Sequence, residues 1–149
     1  SLDASSESYP LHTFNLLNEG VMQKIAKAFK LQPSEIASAT LDAGTVKADG
    51  FSGPAEGKVA VGLTNPDGKV SYAYSANGIG FWIAADGTAS SWGDAPIYYE
   101  YDASGYGLTV GHNPGHSEKG KTYTIKPTMV YNKGGKLHKA VITIKMKFA

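Results

Sequence analysis

The sequence predicts a mainly β domain, an antiparallel β-sandwich of about seven or eight strands with an N-terminal two-helix element. Three observations carry that expectation. One early stretch, residues 18–39, has apolar residues at helical spacing. Beyond about Thr45 the period changes to alternation, as in half-buried strands. Turn signals then recur through the rest of the chain: Ala48-Asp49-Gly50, Asn65-Pro66-Asp67-Gly68, Asn77-Gly78, Ala85-Asp86-Gly87 and Asn132-Lys133-Gly134-Gly135. Asn, Asp and Gly tolerate the left-handed conformations that tight hairpins need, so these clusters read as hairpin punctuation.

The elements follow in order. Residues 1–8, small and mostly polar, are expected to be a disordered or appended segment, with a single domain over 9–149. A start without Met, with no charged and apolar leader, suggests that a signal peptide or upstream domain has been left out. Val21, Met22, Ile25, Ala26, Ala28 and Phe29 then line one side of a helix, with Asn18 as its N-cap. Pro33 opens a second, shorter helix whose small apolar face is Ile36, Ala37 and Ala39. Val59 and Val61 lead into the Asn65 turn, and Val70, Tyr72 and Tyr74 leave it on one face. Ile79, Phe81 and Ile83 share a face, with Trp82 on the opposite one. In the strand from Ile97 to Asp102, Ile97, Tyr99 and Tyr101 face one way and Tyr98, Glu100 and Asp102 the other. A single terminal strand is expected where Ala140, Ile142, Ile144, Met146 and Phe148 alternate with Val141, Thr143, Lys145 and Lys147.

Composition excludes several classes of function. The 149 residues carry 14 basic and 13 acidic side chains, and every basic one is Lys. Without Arg the chain lacks the planar fork that recognises phosphate and guanine, so nucleic acid is not an expected partner. The helical pair has the spacing of a helix-turn-helix, yet Pro33 to Ala39 contains no Lys to neutralise a phosphate. Without Cys there is no disulfide, thiol nucleophile, Cys-bound zinc or iron–sulfur cluster. No apolar run approaches the roughly 20 residues of a membrane span.

The motifs that remain are weak as chemistry and suggestive as surfaces. Gly78-Ile79-Gly80-Phe81-Trp82 has too few glycines for a dinucleotide fingerprint and lies among hairpins. His112-Asn113-Pro114-Gly115-His116 spaces two histidines four apart, but Pro and Gly indicate a loop, so both read as exposed loop residues and not zinc ligands. No nucleophile elbow is present. Trp92 with Asp94, and Tyr98 with Glu100, join aromatic rings to carboxylates. Rings stack on the C–H faces of sugars and carboxylates accept their hydroxyl protons. Trp82 is either packed beneath a covered sheet or offered to a ligand, and core packing is the commoner use of such a ring. A Ca²⁺ site at Glu100 and Asp102 would need more carboxylate and carbonyl ligands than this strand supplies.

Several segments, in their order along the chain, resemble a known family. They are Gln23-Lys24-Ile25-Ala26-Lys27-Ala28-Phe29 with Leu31-Gln32-Pro33-Ser34-Glu35-Ile36, then Asn77-Gly78 to Phe81-Trp82, Ala85-Asp86-Gly87 and Trp92-Gly93-Asp94. Val110-Gly111-His112-Asn113-Pro114-Gly115 and Gly120-Lys121-Thr122-Tyr123-Thr124-Ile125-Lys126 continue the match. The family is a domain of unknown function, numbered 4859, of secreted proteins in Bacteroides-type gut bacteria; His112-Asn113 and Ile83-Ala84 depart from the residues commoner there. The resemblance implies a secreted or surface-anchored β-rich domain in a polysaccharide-using bacterium, often beside glycan-handling modules. It implies no reaction and supplies no catalytic residues.

The expected function is therefore a non-catalytic accessory domain outside the cytoplasm, whether secreted, periplasmic or on the outer cell surface. Its leading ligand is carbohydrate, a polysaccharide or oligosaccharide bound by Trp82, Trp92, Asp94, Tyr98 and Glu100, with no cofactor and no metal. Neighbouring domains or surface proteins are further expected partners, and a membrane only through an anchor outside this chain. The alternative is a protein-interaction or spacer module, in which the aromatic residues merely fill the core. A hydrolase would need two carboxylates facing each other across a cleft.

Overall fold

The computed structural model describes residues 1–42, 51–72, 79–102 and 106–149. The first sheet is antiparallel, and its spatial order is β1 (Pro10–Asn15), β8 (Gly107–His112), β7 (Ile97–Tyr101), β5 (Ile79–Ile83) and β6 (Ala89–Ser90). In the second sheet β11 (Lys136–Val141), β10 (Pro127–Lys133) and β3 (Lys58–Thr64) are antiparallel neighbours. Along the far side of β3, β2 (Thr40–Leu41) pairs in parallel and β4 (Val70–Tyr72) antiparallel. A separate ribbon joins β9 (Thr122–Ile125) to β12 (Ile144–Lys147). Twelve strands thus lie among the described residues, more than the seven or eight expected, because pieces as short as β2 and β6 carry little periodicity of their own.

The two larger sheets bury alternate residues against each other. Ile97, Tyr99, Leu108 and Ile83 come from the first sheet, and Val59, Val61, Leu63 and Met129 from the second. Tyr99 spans the layers and donates its hydroxyl to the Gly62 carbonyl, which gives a buried phenol the partner it requires. Burial pushes the Tyr99 and Tyr101 phenols far above the usual range. Phe51, packed edge-on against Tyr72 at 5.0 Å, and Pro54, whose carbonyl accepts from Asn132, bring the chain before β3 to the second sheet.

The helical pair closes part of the core. Helix α1 (Glu19–Phe29) and helix α2 (Pro33–Ser38) insert Phe29 and Ile36, both fully buried. Asn18 accepts the Met22 N–H through its carbonyl, but its side chain forms no cap bond. Helix α1 ends on Lys30 in the left-handed conformation, with the Leu31 N–H turned back to Ala26 at 2.9 Å. The Gln32 N–H donates to Glu35 Oε2 at 2.6 Å, half of a capping box at the start of α2. The Tyr106 hydroxyl meets the Ile36 and Ala39 carbonyls at the other end, tying the helices to the first sheet.

Three of the expected turns are present. Gly68 and Gly87 have positive φ, and Asp67 and Asp86 accept the N–H groups of Lys69 and Thr88 at 2.9 Å. Gly134 and Gly135, both at positive φ, form a two-residue loop between Lys133 and Lys136, and Glu56 holds both N–H groups at 2.8 Å. Those two bonds hold the Glu56 carboxyl below its ordinary range. The change of period at Thr45, the Ala48-Asp49-Gly50 and Asn77-Gly78 turns, and Tyr74 lie outside the described residues.

The end of the chain departs from expectation. Burial alternates from Ala140 to Phe148 as anticipated, but the segment is two strands belonging to different sheets. The chain leaves β10 after Val141, Ile142 donates to Pro127, and β12 then pairs with β9. Among the described residues β11 pairs with β10 alone, while β12 pairs with β9 and has Leu2 on the other side of its end. Within residues 1–8, Leu2 bridges Phe148 in parallel, donating to Lys147 and accepting from Ala149.

Candidate functional site

After β6 the chain makes one 3-10 turn, Trp92–Asp94, before Ala95, Pro96 and Ile97 return to the core. Asp94 donates its N–H to Ser91 at 3.1 Å, and Gly93 has no atom near where a Cβ would stand. The indole of Trp92 is left 53% exposed, the most exposed large hydrophobic side chain among the described residues. A ring of this size is usually covered, so its exposure is informative.

The turn is held from below by a segment 21 residues further along. Asn113 is only 1% exposed, and its Nδ2 donates to the Trp92 carbonyl at 2.8 Å. Its N–H donates to the Pro96 carbonyl at 3.1 Å, and its own carbonyl accepts from the His116 N–H at 2.8 Å. Gly115, at φ 85°, supplies the left-handed residue that turns the loop back. His116 thereby arrives with its ring 5.6 Å from that of Trp92. One buried amide thus fixes the backbone of both loops.

Beside this pair opens a cavity of about 220 Å³, lined by Gly93, Asp94, His116, Glu118, Lys121 and Tyr123 among others. Asp94, His116, Glu118 and Lys121 are exposed. Lys121 Nζ meets Glu118 Oε2 at 3.3 Å, and the Glu118 N–H donates to the Tyr123 hydroxyl at 3.0 Å. Acceptors and donors therefore line a small open space next to the turn that carries the uncovered indole.

The two histidines of the loop have different fates. His116 is exposed, as expected, whereas His112 is the last residue of β8 and fully buried. It stacks on Phe148 at 5.8 Å, and its Nδ1 meets Ser117 Oγ at 2.6 Å. The expectation of an exposed His112 fails because the strand continues to the residue before Asn113, with its final side chain directed into the core.

The other predicted ligand residues form a second group, on the face of the first sheet directed away from its core. Trp82 and Tyr98 are cross-strand partners with rings 5.1 Å apart, and Tyr9 closes on Trp82 at 6.3 Å. Tyr98 lies close over Gly111, where a Cβ would come 2.4 Å from the ring. Partial burial and the neighbouring Glu100 carboxylate push the Tyr98 phenol up to about 12. Trp82 and Tyr98 are half-buried and Glu100 is exposed. Among the described residues, no ring contact or hydrogen bond joins this group to Trp92 and Asp94.

The five residues singled out in the sequence thus form two places, one exposed and concave, the other more covered. Asn113, His116 and Tyr9 were missed as participants. Asn113-Pro114-Gly115 is visible in sequence only as a turn, and nothing local signals that its amide reaches Trp92. The family model described as Domain of unknown function (DUF4859) matches residues 8–136. No curated protein and no solved structure matches the chain.

Proposed function

Because the chain belongs to the DUF4859 family, whose description assigns no activity, we propose from its own residues that it is a non-catalytic, extracytoplasmic carbohydrate-binding domain. Its binding site is the Trp92 turn and the adjoining cavity. The observation that carries this reading is the exposed indole on a turn whose backbone buried Asn113 holds, beside Asp94, Glu118 and Lys121. A sugar ring laid on Trp92 buries C–H surface, while its hydroxyls donate to the carboxylates and accept from Lys121. Fixing the platform in advance lowers the ordering cost of binding. The site is open, so affinity belongs in the weak range, on the order of 0.1 to 1 mM.

Isothermal titration against a panel of plant and host polysaccharides, with Trp92→Ala in parallel, tests the proposal. Binding by the parent protein and its loss in the variant are expected. A panel-wide absence of heat, or full retention in Trp92→Ala, removes the carbohydrate reading. A protein-interaction module is the second reading, favoured by β11, which among the described residues pairs with β10 alone and leaves Leu137 and Val141 exposed. An unpaired strand with apolar side chains can accept a partner strand.

A further inference from the structure

The backbone of β11 has one side turned away from the rest of its sheet. The Ile142 N–H donates to the Pro127 carbonyl at 2.8 Å, which fixes the phase of the hydrogen-bonded pairs along this hairpin: Met129 with Ala140, Tyr131 with His138, Lys133 with Lys136. The residues between them, Leu137, Lys139 and Val141, therefore turn their N–H and C=O groups away from β10. Among the described residues nothing donates to these groups or accepts from them. Their side chains share the face opposite to Ala140, which is buried with the core. On that face Thr128 and Val130, the β10 partners of Val141 and Lys139, are fully covered, whereas Leu137 is 42% and Val141 47% exposed. The covered row thus continues onto β11 and loses its cover there. Lys139, between the two apolar residues, is exposed and meets no carboxylate among the described residues.

A second copy of this chain is a poor occupant of that edge. Joining two β11 strands about a twofold axis with Leu137 opposite Val141 puts Lys139 opposite Lys139, and like charges directly opposite destabilise a strand pair. Sliding the register by two residues sets Lys139 against Leu137 or Val141 and gives up the apolar match. Resting on the protein-interaction reading, and independent of what binds at Trp92, we infer that β11 receives an extended segment of another protein, in which an Asp or Glu opposite Lys139 stands between apolar side chains opposite Leu137 and Val141. Main-chain hydrogen bonds to the three outward residues hold the added strand, and the apolar–acidic–apolar alternation selects it. Lys139 then acts twice: it deters self-pairing of the edge and favours an acidic partner.

The test is a backbone-amide NMR titration of the intact protein with a capped peptide, Ser-Val-Thr-Glu-Thr-Val-Ser, and with the same peptide carrying Lys in place of Glu. Saturable shifts at Leu137, Lys139 and Val141 are expected with the Glu peptide, which should bind about fivefold or more tightly than the Lys peptide. N-methylation of the peptide amides that face β11 should abolish them. Lys139→Glu should reverse the preference at an unchanged melting temperature, and Lys139→Gln should level it, while Trp92→Ala should alter neither. Equal binding of the two peptides at β11 overturns the acidic partner and leaves the protein-interaction reading standing. No shift with either peptide overturns both and leaves the glycan site untouched. Dimerisation of the protein alone through β11, read by sedimentation and by the same amide shifts on dilution, makes a second copy the occupant and also overturns the inference.

Discussion

Asn113 and Trp92 divide the labour of the candidate site between a buried amide and an exposed ring. Asn113→Ala takes from the Trp92 carbonyl the side-chain donor that the buried amide supplies. It should lower stability by about 1–3 kcal/mol in denaturant unfolding and weaken ligand binding as well. Trp92→Ala removes a ring that is more exposed than covered and should change stability by less than Asn113→Ala, no more than about 0.5 kcal/mol. A Trp92 variant as unstable as the Asn113 variant would mean that the indole is a packing residue. The tyrosines set an alkaline limit at the same scale. Burial, helped by Glu100 at Tyr98 and by Tyr131 at Tyr106, pushes both phenols up to about 12. A phenol whose folded value is raised holds its proton more tightly in the folded state. Its contribution is complete below the ordinary value of 10.0 and is lost as pH rises through about 12. Urea midpoints should therefore be flat approaching pH 10 and fall steeply beyond it, with Tyr98→Phe flattening the decline. A midpoint rising over that range would contradict the assignment.

Among elements, the ribbon of β9 and β12 carries the sharpest stability contrast. Met146 is buried and Lys145, its neighbour, is exposed. Met146→Ala should cost about 2–5 kcal/mol and Lys145→Ala less than about 0.5, measured as denaturation midpoints at equal slope. Equal midpoints would put the strand in the opposite register. The pattern that fixes this contrast is legible in sequence, because one-sided burial imposes alternation. It could not reveal that the alternating run belongs to two sheets, since the burial phase continues unbroken from Ala140 through Ile142 to Phe148. Strand β1 was missed for the converse reason. Only Leu11 and Phe14 are partly covered in this edge strand, and a bulge between Pro10 and His12 disrupts the period. Ile97–Tyr101, buried on one face and more open on the other, was readable in full. Turns could be read at Gly68, Gly87 and Gly134, where Asn or Asp stands one or two residues before a Gly at positive φ, but not at Gly57 or Gly120, which have positive φ without that signal.

For the whole molecule, the sandwich is a support that holds two distant loops in one register. The chain passes from the Trp92 turn into β7, pairs β7 with β8, and leaves β8 at Asn113 below the turn where it began. Antiparallel pairing of Ile97 with His112 makes this meeting unavoidable, because the residues just before one strand must lie beside those just after the other. That is why Trp92 and Asp94 could be picked out by residue type while Asn113 and His116 could not: their role exists only once the two strands pair. The chain contains two tryptophans, so Trp82→Phe leaves Trp92 as the single indole reporter of the site. Titrating that variant with the polysaccharide panel while following tryptophan emission tests the central claim most directly. A saturable change in Trp92 emission is expected, with a midpoint on the order of 0.1 to 1 mM. Glycan binding detected by calorimetry with no change in that emission would contradict it.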